Sequence, residues 1–374
     1  MASILTGPRL AHVVLAMPVG GTEKLAERMV RFPPQPFRAT CICLDSLGEL
    51  GEGLRRDGIE VVCLNRKPGF DWTLPWKLAK YAREKKITIF HCHQYTPWFY
   101  GILAKLFYGK LKILFTEHGR FYPDIPSIKR KFVNRLLAPL THAITAVSPS
   151  VKVALMQVES FPEKQIQVVY NGVQPLSVAM EKEVLRRKLG LHPDWVYFIL
   201  CARFDTIKWI PGLIEAFKIV AERHPQSGLI LVGNGPESDS IQARIQALKL
   251  KAHVHLPGFQ NNIGEWLKAA DIFVLSSLSE GTSVSLIESM SMGLPSVATR
   301  VGGNVEVIED GVTGILVPSE NSQALAEAML DLLEHPEKRQ SMGAAAHQRF
   351  EKRFRLEPMF ASYHSLYLEM LART

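Results

Sequence analysis

Short apolar runs rich in β-branched residues alternate with longer helical patterns along nearly all of this 374-residue chain. His12–Met17, Ala39–Leu44, Glu60–Leu64, Thr88–His91, Lys112–Phe115, Ala143–Val147 and Gln167–Tyr170 read as strands. Between them lie helical stretches such as Thr22–Arg31, capped by Thr22 after the turn Gly20-Gly21, and Leu74–Lys85 and Trp98–Phe107. A strand that reaches the next only through a helix runs parallel to it, and the helices then cover both faces of the sheet. A turn at Asn171-Gly172-Val173 and a polar stretch, Gln174–Lys182, interrupt the pattern. It then restarts with Val196–Ala202, Leu229–Val232, His253–Leu256, Ile272–Ser276 and Ser296–Thr299, with a helix over Pro211–Glu222. Two Rossmann-like α/β domains are expected, 1–173 and 174–353. A C-terminal helix over 354–374, carrying Phe360, Tyr363 and Tyr367, is expected to pack back on the first domain.

Composition narrows the class. With 47% hydrophobic and 21% charged residues, the chain reads as an ordinary globular protein. Ala11–Val19 is too brief for a membrane span, and the polar start Met1–Arg9 makes no secretory signal, so a cytoplasmic location is expected. Five cysteines (Cys41, Cys43, Cys63, Cys92, Cys201) lack metal-finger spacing and read as reduced thiols. Charge is uneven. Residues 1–175 carry 24 Lys+Arg against 13 Asp+Glu, and the remainder 20 against 23. The basic first half suits an anionic partner such as a membrane surface, a phosphorylated lipid or an acidic glycan; no nucleic-acid motif accompanies it.

Ligands of open parallel sheets bind beyond the carboxyl ends of the strands, and the distinctive residues fall there. Ser279-Glu280-Gly281-Thr282-Ser283-Val284 follows one strand and opens a helix near Val284, with Glu288 just over a turn inside it. Free amides at such a helix start suit an anion; an acidic residue at the start and an ordinary helical Glu is the plainer reading. Arg203 and Lys208 bracket a turn after Val196–Ala202, two cations suited to a diphosphate or simply solvated. Gly233-Asn234-Gly235-Pro236 and Pro257-Gly258-Phe259 follow the next two strands, permitting close backbone approach and offering an apolar face to a base. His118, in Glu117-His118-Gly119, can bond a hydroxyl or move a proton, or be a structural strand-end histidine. His91-x-His93 is half a metal site without a third ligand at useful spacing, so a structural role is expected. There is no Asp-x-Asp, P-loop or Gly-x-Ser-x-Gly.

In this order and spacing the pieces resemble family 4 of the retaining, nucleotide-sugar-dependent glycosyltransferases, over nearly the whole chain. The markers are Gly20-Gly21 with Glu23, Glu117-His118-Gly119, Asn171-Gly172-Val173, Arg203 with Lys208, Gly233-Asn234-Gly235-Pro236, Pro257-Gly258-Phe259 and Glu280-x7-Glu288. Gly293-x-Pro295, Gly302-Gly303-x-x-Glu306 and Gly311-x-x-Gly314 extend the match. The resemblance implies the GT-B fold, two domains facing across a cleft, the first for the acceptor and the second for the nucleotide sugar. The first part is also similar to bacterial enzymes of surface-polysaccharide assembly.

The resemblance further implies roles. Arg203 and Lys208 would hold the donor diphosphate, Glu288 the ribose, and Glu280 the hydroxyls of the transferred sugar. Gly281, Thr282, Ser283 and Val284 would face the phosphates, His118 the sugar near its reacting carbon, and Gly20 and Gly21 would admit phosphate and acceptor. Gly233, Asn234, Gly258 and Phe259 complete the donor set. Retention by a front-face reaction needs no protein base, and neither metal nor cofactor is expected. UDP- or GDP-sugar is the expected donor, and a glycan or lipid-linked molecule the acceptor. Domain closure would expel water.

One residue departs from the family pattern. Trp209 stands where glycine usually follows the phosphate-binding lysine, and its indole either narrows the pocket or packs on the following helix. For the acceptor side, Trp98-Phe99-Tyr100, Phe107-Tyr108 and Lys129-Arg130-Lys131-Phe132 with Arg135-Leu136-Leu137 mix basic and apolar residues, as a membrane-docking surface would. The alternatives are a sugar-nucleotide epimerase on the same fold and a non-catalytic nucleotide-sugar-binding subunit.

Overall fold

The structure is a computed structural model that describes residues 7–119 and 125–372. Two compact units divide the chain: residues 1–171 with 357–374, and residues 172–356.

In the first unit, strands β1 (Arg9–Ala16), β2 (Arg38–Ser46), β3 (Val61–Cys63), β4 (Ile87–His93), β5 (Lys112–Glu117), β6 (Ala143–Ala146) and β7 (Ile166–Val168) form one parallel sheet. Its order is β3-β2-β1-β4-β5-β6-β7. Helices α1 (Gly21–Arg31), α2 (Gly48–Arg56), α3 (Leu74–Glu84), α4 (Tyr95–Phe107), α5 (Ile128–Leu137) and α6 (Pro149–Gln157) alternate with the strands. The strands are apolar on both faces because both are covered: Cys41, Ile42, Cys43 and Leu44 are all fully buried. Under the helices Trp98, Phe115 and Phe161 stack edge and face, and Trp98 Nε1 donates to Thr141 Oγ1 at 2.8 Å. Trp98 and Tyr100 are therefore core residues, and not part of the surface proposed for them. Thr22 is likewise not the cap of α1. Extended Gly20 holds that place, without a side-chain bond, and the helix starts at Gly21.

The second unit repeats the plan with α7 (Lys182–Lys188), α8 (Ile210–Arg223), α9 (Ser238–Ala247), α10 (Ile263–Ala269), α11 (Val284–Ser291), α12 (Asn304–Val307), α13 (Ser322–Glu334) and α14 (Pro336–Arg353). Its sheet is β10 (Val254–Gly258), β9 (Ser227–Val232), β8 (Val196–Cys201), β11 (Ile272–Leu275), β12 (Ser296–Thr299) and β13 (Gly314–Val317), in that order. The sequence reading assigns no strand at β13. Four residues between turns carry little signal, and its identity as a strand comes from pairing with β12, Ser296 opposite Gly314.

The last helix, α15 (Leu356–Ala372), belongs to the first unit. Its Tyr367 hydroxyl bonds His91 Nδ1 at 2.7 Å, and Lys112 Nζ donates to the Met370 carbonyl at 2.8 Å. In each sheet the order reverses once, between β1 and β4 and between β8 and β11. Loops leaving neighbouring strands part at such a point and leave a crevice beyond the carboxyl ends.

Candidate functional site

In the second unit, the turn after β8 and the loop after β11 flank the reversal, and they are tied together. Ser276 Oγ donates to the Lys208 carbonyl at 2.7 Å, and the Leu278 amide to the Ile207 carbonyl at 2.7 Å. These bonds bring two residues 72 apart in sequence into contact: Lys208 Nζ lies 2.6 Å from Glu280 Oε1. Ser277 Oγ donates to the same oxygen at 2.6 Å. The pair is largely withdrawn from solvent, at 18% and 9% side-chain exposure, so each charge depends on the other. An ammonium has three N–H donors, and Glu280 engages one of them. Arg203, at the start of the turn, is exposed.

Asp205 lies within electrostatic reach of Lys208, Arg203 and Glu280, and burial pushes its carboxyl up from the ordinary range. Its Oδ1 has no hydrogen-bond partner among the described residues. The sequence reading passes over Asp205 as a turn residue. A half-buried carboxylate beside two cations shows its importance only once the fold has assembled them.

Backbone packing explains the glycines. A Cβ on Gly303 would stand 1.6 Å from the Gly281 carbonyl oxygen, and one on Gly302 1.9 Å from that of Glu280. The Gly303 amide donates to the Glu280 carbonyl at 3.1 Å. The loop after β12 thus presses on the Glu280–Gly281 backbone at a distance only glycine allows. Gly233 acts similarly for the other cation. Its φ is +148°, and a Cβ would meet the Ala202 carbonyl at 1.9 Å. The Phe204 amide donates to the Asn234 carbonyl, and the Gly233 amide to that of Gly258, at 2.9 and 3.0 Å. The close approach at Gly233 is therefore, in this structure, to neighbouring protein backbone that steadies the Arg203 turn, whereas a Cβ on Gly258, at φ +74°, would meet nothing within 4 Å. Phe259 is 42% exposed, its ring accessible.

Ser283 caps α11 by accepting from the Leu286 amide, so the helix begins at Val284 as the sequence suggests. Thr282 and Ser283 are buried, and Glu288 is half-buried on the helix. Trp209 occupies the left-handed region at φ +46°, ψ +42°, a conformation that glycine adopts most freely. A Cβ on Gly212 would fall 2.4 Å from the indole, so the ring lies along the first turn of α8. Of the two positions open to Trp209, it takes the one on the helix.

The other expected residues lie in the first unit. Gly20 and Gly21 follow β1 and open α1, and His118 follows β5, buried. Nitrogens of His12, His91 and His93 come within 4.8 Å of one another, so strand β1 supplies the third histidine that sequence spacing lacks. Their bonding is that of a hydrogen-bonded network. His91 uses both nitrogens, on Tyr367 and on Thr116 Oγ1 (2.7 Å each), and His12 and His93 bond each other at 2.9 Å. Among the described residues, all five cysteines are free thiols, and no helix is long and apolar enough to cross a membrane.

Comparison with known proteins decides the family. The family described as Glycosyltransferase Family 4 matches residues 19–175, and Glycosyl transferases group 1 matches 181–349. N-acetyl-alpha-D-glucosaminyl L-malate synthase of Bacillus anthracis is 30% identical over 311 residues, 81% of this chain and 80% of that protein. The chain belongs to glycosyltransferase family 4. Among other relatives, an Escherichia coli UDP-Gal:alpha-D-GlcNAc-diphosphoundecaprenol alpha-1,3-galactosyltransferase is 26% identical over 86% of this chain and 87% of its own length. The GT-B fold is shared with solved structures. Anabaena HepE in complex with UDP has a TM-score of 0.84 at 22% identity, covering 97% of this chain and all of that one. A Rickettsia africae glycosyltransferase gives 0.82 at 22% identity, covering 98% of this chain and all of that one. This family 4 member is a transferase enzyme.

Proposed function

We propose that this enzyme moves a sugar, with retention of configuration, from a UDP- or GDP-sugar to a glycan or lipid-linked acceptor in surface-polysaccharide or glycolipid assembly. The observation that carries the proposal is the Lys208–Glu280 pair at the strand-order reversal of the second unit. A diphosphate beside Lys208 would take up its remaining N–H donors and the guanidinium of Arg203, offsetting charge as the sugar–phosphate bond breaks. Glu280, held by Ser277, would orient sugar hydroxyls; the amides of Gly281, Thr282, Ser283 and Val284 would face the phosphates; Glu288 would bond the ribose. His118 would contact the sugar. The proposal takes its positive charge from these side chains and invokes no metal. The HepE complexes with UDP and with UDP-glucose, and the UDP-Gal specificity in the E. coli relative's name, favour a uridine donor.

The test is a panel of UDP-, GDP-, ADP- and dTDP-sugars with EDTA present, read by thermal shift and by slow nucleotide release. One donor that both stabilises and is hydrolysed is the expected result. If no sugar nucleotide stabilises the protein, the proposal fails.

The acceptor side is proposed to dock on an anionic lipid surface at the cytoplasmic membrane face. Helix α5 turns its apolar residues outward: Ile128, Phe132 and Leu136, at intervals of four, are 87%, 64% and 60% exposed, and Ile125 just before it is 74% exposed. Lys129 and Arg135 are exposed beside them. Arg130 serves differently, bridging Glu159 at 2.6 Å over the Tyr95 ring, and so anchors the helix. From Tyr95 a series of ring contacts runs through Phe99 and Phe70 to Trp72, which is 83% exposed. Apolar side chains ringed by cations, with an aromatic nearby, suit the headgroup region. Replacing Ile128, Phe132 and Leu136 together by Ser is expected to weaken binding to vesicles with 30% phosphatidylglycerol by about 100-fold. Unchanged co-sedimentation would rule this surface out.

A further inference from the structure

Histidines from three adjacent strands of the first unit line up as one buried file. His12 Nδ1 lies 2.9 Å from His93 Nε2, and His93 Nδ1 lies 2.8 Å from His118 Nε2. The rings stack at 5.2 and 5.1 Å with interplanar angles of 23° and 24°. His12 sits on β1, His93 ends β4 and His118 follows β5, so the β1-β4-β5 order creates the file. His91 braces it from the side, its ring 4.2 Å from that of His93 and bonded to Thr116, which in turn bonds Thr145.

Burial holds these rings neutral: His12 and His118 are pushed down to about 3, and His91 and His93 lie well below their ordinary value. A neutral imidazole has one N–H and one lone pair. If His93 donates from Nε2 to His12, its Nδ1 is bare and must accept from His118 Nε2. His118 then shows a lone pair at Nδ1. Reversing one proton reverses all three. The chemistry offered at His118 Nδ1 is thus set two rings away. That nitrogen is buried and has no partner among the described residues. The backbone beside the file is strained as well. Gln94, directly after His93, has φ 72° and ψ 173°, a region nearly reserved for glycine, and its amide is held by the Thr116 carbonyl at 2.8 Å. Such strain persists only where the surroundings fix it, and it concentrates at functional sites.

We infer that His93, backed by His12, is a positioning residue that locks the tautomer of His118. The protons run from His118 to His93 to His12: the opposite direction would place an N–H on the buried, unpartnered His118 Nδ1, the rarer kind of orphan, whereas this one places the last N–H on His12 Nε2, which is not a buried nitrogen without a partner. His118 Nδ1 then accepts a hydrogen bond from a hydroxyl. The functional meaning rests on the reading of His118 as the group that contacts the sugar.

Histidine-selective ¹⁵N NMR of the full chain tests the tautomer directly. Wild type is expected to show His118 protonated at Nε2 and bare at Nδ1, and His93→Leu a mixture of tautomers. For hydrolysis of whichever UDP-, GDP-, ADP- or dTDP-sugar is turned over, His93→Leu should lower kcat about 100-fold with little change in KM. His93→Asn, which replaces the nitrogen facing His118, should recover activity to within about tenfold of wild type. Protonation of His118 at Nδ1 in wild type, or an unchanged tautomer in His93→Leu, overturns the inference. If His93→Leu does not fold, the wild-type and His93→Asn spectra decide. Wild-type turnover by His118→Ala would instead overturn the sugar-contact reading, leaving the NMR to decide the file.

Discussion

Replacing Lys208 by Ala is expected to lower donor turnover by about 1,000-fold, the scale on which loss of a preorganised group facing developing charge is felt. It should also destabilise the second unit, because Glu280 is only 9% exposed and would be left, among the described residues, with the Ser277 hydroxyl as its side-chain donor. Breaking a buried ion pair from one side costs about 3–5 kcal/mol, whereas removing both charges can be nearly neutral. The double variant Lys208→Met with Glu280→Gln should therefore regain most of the lost stability and none of the activity. That split separates the two roles of the lysine. Retention of a tenth or more of wild-type turnover in Lys208→Ala would exclude it from the phosphate site.

The second large effect is expected from a single methyl group. In Gly303→Ala the new Cβ would lie 1.6 Å from the Gly281 carbonyl oxygen, so one of two backbone segments must move. The residue has no left-handed φ, so the penalty is purely steric. Overpacking of this kind costs about 1–3 kcal/mol, which at about 2–4 °C per kcal/mol for a unit of this size lowers the thermal midpoint by about 2–12 °C. Because the displaced segment carries Glu280, donor binding should weaken at least tenfold, a response that a remote destabilising change would not give. Gly109→Ala is the control, with nothing within 4 Å of its Cβ. Equal donor affinity in both variants would show that the loop tolerates displacement.

The sequence shows features written locally. Alternating apolar runs announce parallel sheets, Ser283 caps the helix that opens where expected, and most strands lie within a few residues of their reading. Features made by sheet order are not written locally. Lys208 meets Glu280 only because β8 and β11 are neighbours, and His12 meets His93, 81 residues away, only because β1 lies beside β4. Spacing arguments therefore find half a histidine cluster. Apolar pattern is equally silent on direction. Trp98 and Phe132 both lie on helices rich in apolar residues, yet one is fully buried and the other 64% exposed. Neighbouring elements, not the helix itself, choose the inward face.

The C-terminal helix adds a constraint of timing. The second unit is one unbroken segment, 172–356, but the first is completed by residues 357–374. On a ribosome the second unit can therefore finish folding while the first, although made earlier, still lacks its final element. Until Tyr367 emerges, His91 Nδ1 has lost the partner that satisfies it in the finished core, and Lys112 lacks the Met370 carbonyl. Domains usually mature in the order of their synthesis. Here the sheet of the first unit waits for residues 357–374 to be translated.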